Sequence, residues 1–155
     1  MPFQLTSSVF QEGAEIPARY TCDDVDTAPP LEWSGAPEAT RSFALIVDDP
    51  DAPDPEAPKT VYVHWVLYDI PSDVNSLPEG GKPPGGAREG TNDWKRTGYG
   101  GPCPPIGRHR YFFKLYALDT TLGDLRQPTK AKLEDAMRDH VLEQAELMGT
   151  YIKRK

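Results

Sequence analysis

The chain has 155 residues and a formal net charge of −7 at pH 7, and its length predicts one domain over residues 1–155. The acidic balance disfavours nucleic acid and anionic membrane surfaces as partners. The 17 prolines and 13 glycines favour turns and short strands over a helical bundle.

The N-terminal residues lack the basic start and apolar run of a secretory peptide. No stretch of the sequence approaches the 18 or so apolar residues that a membrane span needs. We therefore expect a cytoplasmic protein without integral membrane association.

The first half of the chain predicts short strands separated by polar turns. Residues 3–6 alternate in polarity, and residues 30–33 precede a Ser-Gly-Ala-Pro turn. Residues 42–48 form an apolar run that is typical of a buried strand. That strand leads into Asp48-Asp49-Pro50-Asp51-Ala52-Pro53, a turn rich in carboxylates.

The middle of the chain combines one clear strand with a long irregular segment. Residues 61–68 are β-branched and aromatic, with the single histidine His64 among them. Residues 74–97 contain glycine and proline pairs without sustained periodicity, and loops of this length are usually functional or mobile. Trp94 and Tyr99 are candidates for the mouth of a pocket, with simple packing as an equal alternative.

A stiff loop of glycines and prolines, residues 98–108, runs into an alternating apolar strand. Glycine allows close approach of the backbone to a ligand, and proline fixes φ and removes a donor. The remaining amides, which we expect to point at an anion, belong to Gly101, Cys103, Ile106, Gly107 and Arg108. In the strand, His109 and Tyr111 share one face at the mouth of the loop.

The end of the chain predicts a helix. Thr129 is a capping residue, and apolar residues recur between Lys130 and Met148. Gly149 is expected to end this helix before a short strand at residues 151–152. His140 would lie on the helix surface.

Three separated motifs carry a family resemblance. DDPDAP at residues 48–53, HW at residues 64–65 and GPCPPIGRHRY at residues 101–111 occur in this order. Together they resemble the phosphatidylethanolamine-binding protein family, in particular its bacterial and archaeal Raf-kinase-inhibitor-like branch. The resemblance implies a mainly β fold in which a large antiparallel sheet packs against a smaller one, with a C-terminal helix.

The resemblance also implies a small anion-binding cavity without a cofactor. Asp49, His64, His109 and Tyr111 would surround it, and Asp51 is the second acidic position of the first motif. Gly101, Pro102 and Cys103 would form the adjoining loop. A phosphoethanolamine-like zwitterion suits imidazole and amide donors beside carboxylates. We expect Asp49 to lie next to His64 and to favour its protonated form.

The function implied is non-enzymatic binding that regulates or inhibits a kinase or a protease. Three alternatives stay open. The same histidines and carboxylate could catalyse hydrolysis or elimination at a phosphoester, or they could hold iron or zinc. Residues 74–97 could instead inhibit a protein partner directly. A homodimer through apolar surface is a further expectation.

Two local features are decided only by geometry. Cys22 and Cys103 form no CxxC pair, and we interpret them as two small buried thiols, with a disulfide as the alternative. One X-Pro bond, Ala52-Pro53 or Pro104-Pro105, is predicted to be cis.

Overall fold

The computed structural model describes residues 2–153, so both ends of the predicted 1–155 domain lie outside the described residues. The described residues form β-strands, one turn of 3-10 helix at Ala18–Tyr20 and one α-helix, α1. Their bounds are β1 Gln4–Thr6, β2 Leu31–Ser34, β3 Ser42–Ala52, β4 Thr60–Pro71, β5 Ser76–Leu77, β6 Arg88–Glu89, β7 Arg108–Leu118, α1 Lys130–Met137 and β8 Val141–Ile152.

The strands form two antiparallel sheets. The larger has five strands in the order β6-β4-β3-β7-β8, and the smaller has three in the order β1-β2-β5. This arrangement confirms the prediction of a large sheet against a smaller one. The long segment 74–97 contributes only the short strands β5 and β6 and is otherwise irregular, as its composition indicates.

The central strand β3 is buried on both faces because a hydrophobic core lies on each side of the large sheet. Phe43, Leu45 and Val47 belong to the core that also contains Trp33 of the small sheet. Ala44 and Ile46 point the other way, into a second core with residues of α1. A continuous apolar run is what such a doubly covered strand requires.

The helix prediction is correct at its start and wrong at its end. Thr129 caps α1 by accepting a hydrogen bond from the amide of Lys132, at 3.3 Å. The helix ends at Met137, and the turn that follows contains Asp139 with φ of 69°. His140 lies in this turn and contacts Asp119, 2.8 Å from Nδ1 to Oδ1, rather than lying on a helix surface.

Residues 141–152 form the strand β8 instead of continuing the helix. They pair with β7 over its whole length, from Arg108 opposite Ile152 to Leu118 opposite Val141. The leucine, glutamate and alanine content of this segment favours a helix locally, but pairing with β7 buries Ala145, Leu147 and Tyr151 against the core. Tertiary burial therefore overrides the local propensity.

The interpretation of the two cysteines as buried thiols is wrong. Cys22 and Cys103 form a disulfide, with their Cα atoms 5.4 Å apart, and Cys103 is exposed. The fold brings their loops together although 81 residues separate them in sequence. The Tyr99 hydroxyl also links the loops by donating to the Tyr20 carbonyl at 2.7 Å.

Two further observations bear on the sequence predictions. The Ala52-Pro53 bond is cis, which confirms one of the two candidates. Among residues 2–153, no helix has both the length and the apolar character needed to cross a membrane.

Gly149 provides a test of the β8 assignment. A Cβ at this position would lie 2.5 Å from Cγ1 of Ile16 and 2.8 Å from Cε2 of Phe10. We expect Gly149→Ala to lower the free energy of unfolding by roughly 1–3 kcal/mol, the usual cost of overpacking a core.

Urea denaturation measures this change. Gly85→Ala is the matched control because a Cβ at Gly85 meets nothing within 4 Å. If Gly149 were the end of a helix exposed to solvent, the two variants would have similar stabilities.

Candidate functional site

A cavity of about 460 Å³ opens where the ends of β3 and β4 meet the loops before and after them. Its walls come from four segments: the end of β3, alternate residues of β4, the loop around Trp94, and the loop leading into β7. The lining residues are Asp49, Ala52, Pro53, Thr60, Tyr62, His64, Trp94, Cys103, Pro105 and His109. The structure therefore brings four of the predicted ligand-binding residues, Asp49, His64, Cys103 and His109, into one pocket.

His64 presents one ring nitrogen that the protein does not engage. Its Nδ1 lies 2.8 Å from the Gly100 carbonyl oxygen, so Nδ1 carries the proton and donates. No hydrogen bond from the described residues reaches Nε2. Burial lowers the pKa of His64 below its ordinary value of 6.5, although the Gly100 carbonyl and Asp49 act in the opposite direction. Asp49 thus acts toward the protonated form as the sequence predicted, but desolvation is the larger effect and the net pKa is lowered.

Asp49 binds His109 rather than His64. Its Oδ2 lies 2.5 Å from Nδ1 of His109, and both side chains are almost fully buried. The other ring nitrogen, Nε2, faces the carbonyl oxygens of Ile106 at 2.8 Å and Pro53 at 3.0 Å. Both ring nitrogens of His109 thus face partners within the protein, and neither is available to a ligand.

Asp51 and Tyr111 lie beside the pocket rather than on its surface. Both carboxylate oxygens of Asp51 accept from the Arg110 side chain, at 2.9 and 3.0 Å, and this contact is the main cause of the lowered pKa of Asp51. The Tyr111 ring lies behind the histidines, 5.2 Å from the His64 ring. Its hydroxyl is buried without a hydrogen-bond partner among the described residues, and burial raises its pKa.

The Gly/Pro loop contributes to the pocket through Cys103 and Pro105. The Gly101 amide donates to Oδ1 of Asp26 at 2.8 Å, so it does not point at an anion as the sequence predicted. The Pro102 carbonyl accepts from the Cys22 amide at 3.1 Å. Both residues are buried behind the wall. A Cβ at Gly101 would lie 2.3 Å from the Tyr20 carbonyl oxygen, which is why only glycine fits there.

The family model described as phosphatidylethanolamine-binding protein matches residues 6–152. The chain belongs to this family. A relative from the archaeon Methanothermobacter thermautotrophicus, called UPF0098 protein, is 46% identical over 95% of this chain and 97% of its own length.

Two solved structures share the fold of this family member. One is described as a putative phosphatidylethanolamine-binding protein homolog, CT736 from Chlamydia trachomatis, with 42% identity, a TM-score of 0.91 and coverage of 98% of each chain. The other is Escherichia coli YbcL, described as a new member of the mammalian family. It has 33% identity, a TM-score of 0.88 and coverage of 99% of this chain and 100% of its own.

An aromatic wall completes the pocket of this family member. The rings of Tyr62, His64 and Trp94 contact one another edge to face, with centroids 5.0–5.5 Å apart. The loop that carries Trp94 is fixed by Asn92, whose side chain accepts from the Trp94 amide at 2.9 Å and donates to the Gly98 carbonyl at 3.0 Å. Trp94 is therefore a fixed wall.

Sequence reasoning missed Tyr62 and Thr60 as lining residues. Both precede His64 by an even number of residues in β4, and side chains two apart in a strand share a face. The alternation of side chains along the predicted strand could therefore have identified Tyr62 and Thr60 as neighbours of His64. Among the described residues, no group of three or more histidine, cysteine, aspartate and glutamate side chains is arranged to hold a metal ion.

The buried contact between Asp49 and His109 predicts a large stability effect. Asp49→Asn removes the carboxylate that His109 faces, and leaving a buried partner unpaired is costly. We expect the free energy of unfolding to fall by roughly 2–4 kcal/mol.

Asp135→Asn is the control, because the Asp135 contact with Arg138 is exposed. The exposed fraction is 69% for the Asp135 side chain and 73% for the Arg138 side chain. Such a pair contributes about 1 kcal/mol or less. Urea denaturation at pH 7 compares the variants, and equal losses in both would contradict a special role for the buried contact.

Proposed function

We propose that this family member binds a small phosphate-bearing zwitterion, of the phosphoethanolamine type, in the pocket around His64, and does not turn it over. The observation that carries the proposal is that Nε2 of His64 has no partner among the described residues, in a cavity whose other histidine and carboxylate are already paired. We also propose that binding serves regulation, as an inhibitor of a kinase or a protease.

The hydrogen bonds of the pocket support binding over catalysis. Acid and base catalysis at a phosphoester requires groups that can exchange protons with the substrate. Asp49 accepts from the Asp51 amide at 2.7 Å as well as facing His109, and His109 is occupied at both nitrogens. His64 is then the one histidine of the described pocket with a ring nitrogen available to a ligand.

The remaining polar groups suit a phosphate that brings its own positive charge. The Tyr62 hydroxyl, the Trp94 indole N–H and the Cys103 amide are neutral donors on or beside the wall. The two arginines that flank His109 in the sequence are paired, Arg110 with Asp51 and Arg108 with Glu15. Since no unpaired cationic side chain from residues 2–153 lines the pocket, a bare dianion is poorly compensated, whereas a zwitterion or monoanion costs less to desolvate.

The cytoplasmic location, the homodimer and inhibition through residues 74–97 stay predictions from the sequence. The pocket can be tested separately from all of them.

A titration followed by imidazole NMR tests the pocket. We expect phosphoethanolamine to shift the His64 signals saturably, and the signals of His109 less, because both of its nitrogens are already bonded. His140 is the internal control, since it is bound to Asp119 outside the pocket. Inorganic phosphate in a parallel titration shows whether the ammonium contributes affinity. The absence of any shift at His64 would contradict the proposal.

The lowered pKa of His64 predicts a pH dependence. Anion binding favours the imidazolium, so the pKa of His64 rises in the complex and binding takes up a proton. Affinity should be highest below the pKa of free His64, which lies under 6.5, then fall as pH rises to the pKa in the complex and level off above it.

Calorimetry in buffers of different ionisation enthalpy measures the proton uptake directly. His64→Gln is the matched variant, because its remaining pH dependence is that of the ligand's own phosphate. An identical pH profile in both proteins would show that His64 does not exchange a proton on binding.

A further inference from the structure

The Cys22–Cys103 disulfide lies at the surface of the pocket. Cys103 lines the cavity and is exposed, whereas Cys22 is half-buried on the neighbouring loop. Small thiols reach exposed disulfides by attack of a thiolate on one sulfur, and access decides which sulfur is attacked.

We propose that this disulfide is an exchange site for low-molecular-weight thiols, where the incoming thiol joins Cys103 and forms an adduct across the pocket mouth. Its effect on ligand binding rests on the proposed function, but the exchange itself does not.

The exchange step is balanced without an external oxidant. The incoming thiolate forms a bond to Sγ of Cys103, the bond between Cys103 and Cys22 breaks, and the electron pair goes to Sγ of Cys22, which takes a proton from water. One thiol is consumed and one is formed. A second thiolate can attack the adduct and release a small disulfide, leaving both cysteines as thiols.

Charge and exposure both direct the attack to Cys103. Asp24 is exposed two residues after Cys22, and its carboxylate repels an approaching thiolate there, whereas Asp23 is buried and accepts from the Tyr151 hydroxyl. The return attack by Cys22 re-forms the disulfide, so the fraction of protein that carries the adduct at Cys103 rises with the concentration of the incoming thiol.

The loop that carries Cys22 and the loop that carries Cys103 stay together when the disulfide opens, because three hydrogen bonds also join them. The Tyr99 hydroxyl donates to the Tyr20 carbonyl, the Gly101 amide donates to Asp26, and the Cys22 amide donates to the Pro102 carbonyl, at 2.7–3.1 Å. The adduct is therefore held at the pocket mouth instead of being carried away on a released loop.

Mapping of the adduct is the first test. The native protein is incubated with 2-mercaptoethanol, quenched with acid, alkylated with N-ethylmaleimide and digested for mass spectrometry. We expect mercaptoethanol on Cys103 and maleimide on Cys22, in roughly tenfold excess over the reverse pattern. The reverse pattern, or no opening at thiol concentrations that open the disulfide in urea, would overturn the proposal.

Two single variants provide a second, independent measurement. Cys22→Ser leaves Cys103 as a free thiol, and Cys103→Ser leaves Cys22. With the dianionic reagent 5,5′-dithiobis(2-nitrobenzoate), we expect the Cys103 thiol to react roughly tenfold faster or more. The two rates should become similar in urea, where burial and neighbouring charges no longer differ. A Cys22 thiol that reacts equally fast in the folded protein would also overturn the proposal.

The affinity for phosphoethanolamine distinguishes two effects of the adduct, which are blocking of the pocket mouth and loss of the Cys22–Cys103 cross-link. The mercaptoethanol adduct should lose affinity relative to the double variant Cys22→Ser, Cys103→Ser, which lacks the cross-link but carries no adduct. Equal affinity of these two proteins would refute occlusion. If the unmodified protein does not bind phosphoethanolamine, the proposed function fails, while the mapping and rate measurements still decide the exchange site.

Discussion

The pocket depends on the buried hydrogen bond between Asp49 and His109. It joins the end of β3 to the start of β7, and Nε2 of His109 faces the carbonyls of Pro53, in the loop after β3, and of Ile106, in the loop before β7. One imidazole thus fixes two strands and two loops. Such a buried polar cluster is tolerated only because every polar atom has a partner. Its rigidity gives the cavity a defined shape before any ligand enters.

Two histidines with similar positions on adjacent edges of the pocket have different chemical roles. His109 is occupied on both sides, and its contribution is to position the walls. His64 is occupied on one side, where the Gly100 carbonyl fixes the tautomer and leaves Nε2 for a ligand. Burial keeps this imidazole neutral in the free protein. A neutral acceptor that can take up a proton matches a ligand that carries both a phosphate and a proton donor.

The sequence predicted those parts of the structure that local pattern determines. The apolar run of residues 42–48 is a direct consequence of the burial of β3 on both faces. The alternation after His109 is a direct consequence of the burial of β7 on one face. Residues 141–152 could not be predicted in this way, because their helix-forming side chains become a strand only when β7 offers a partner. The Cys22–Cys103 bond and the use of the Gly101 amide by Asp26 likewise depend on contacts between distant segments.

The disulfide and His64 are connected through the same short loop. Gly100 both accepts from Nδ1 of His64 and donates its amide to the His64 carbonyl, at 2.8 and 3.0 Å. Three residues later, Cys103 attaches this loop to Cys22. The position of the Gly100 carbonyl decides which nitrogen of His64 carries the proton, and hence whether Nε2 accepts or donates. The covalent link is thus part of the pocket wall, and it attaches to Cys22 the loop whose Gly100 carbonyl fixes the tautomer of His64.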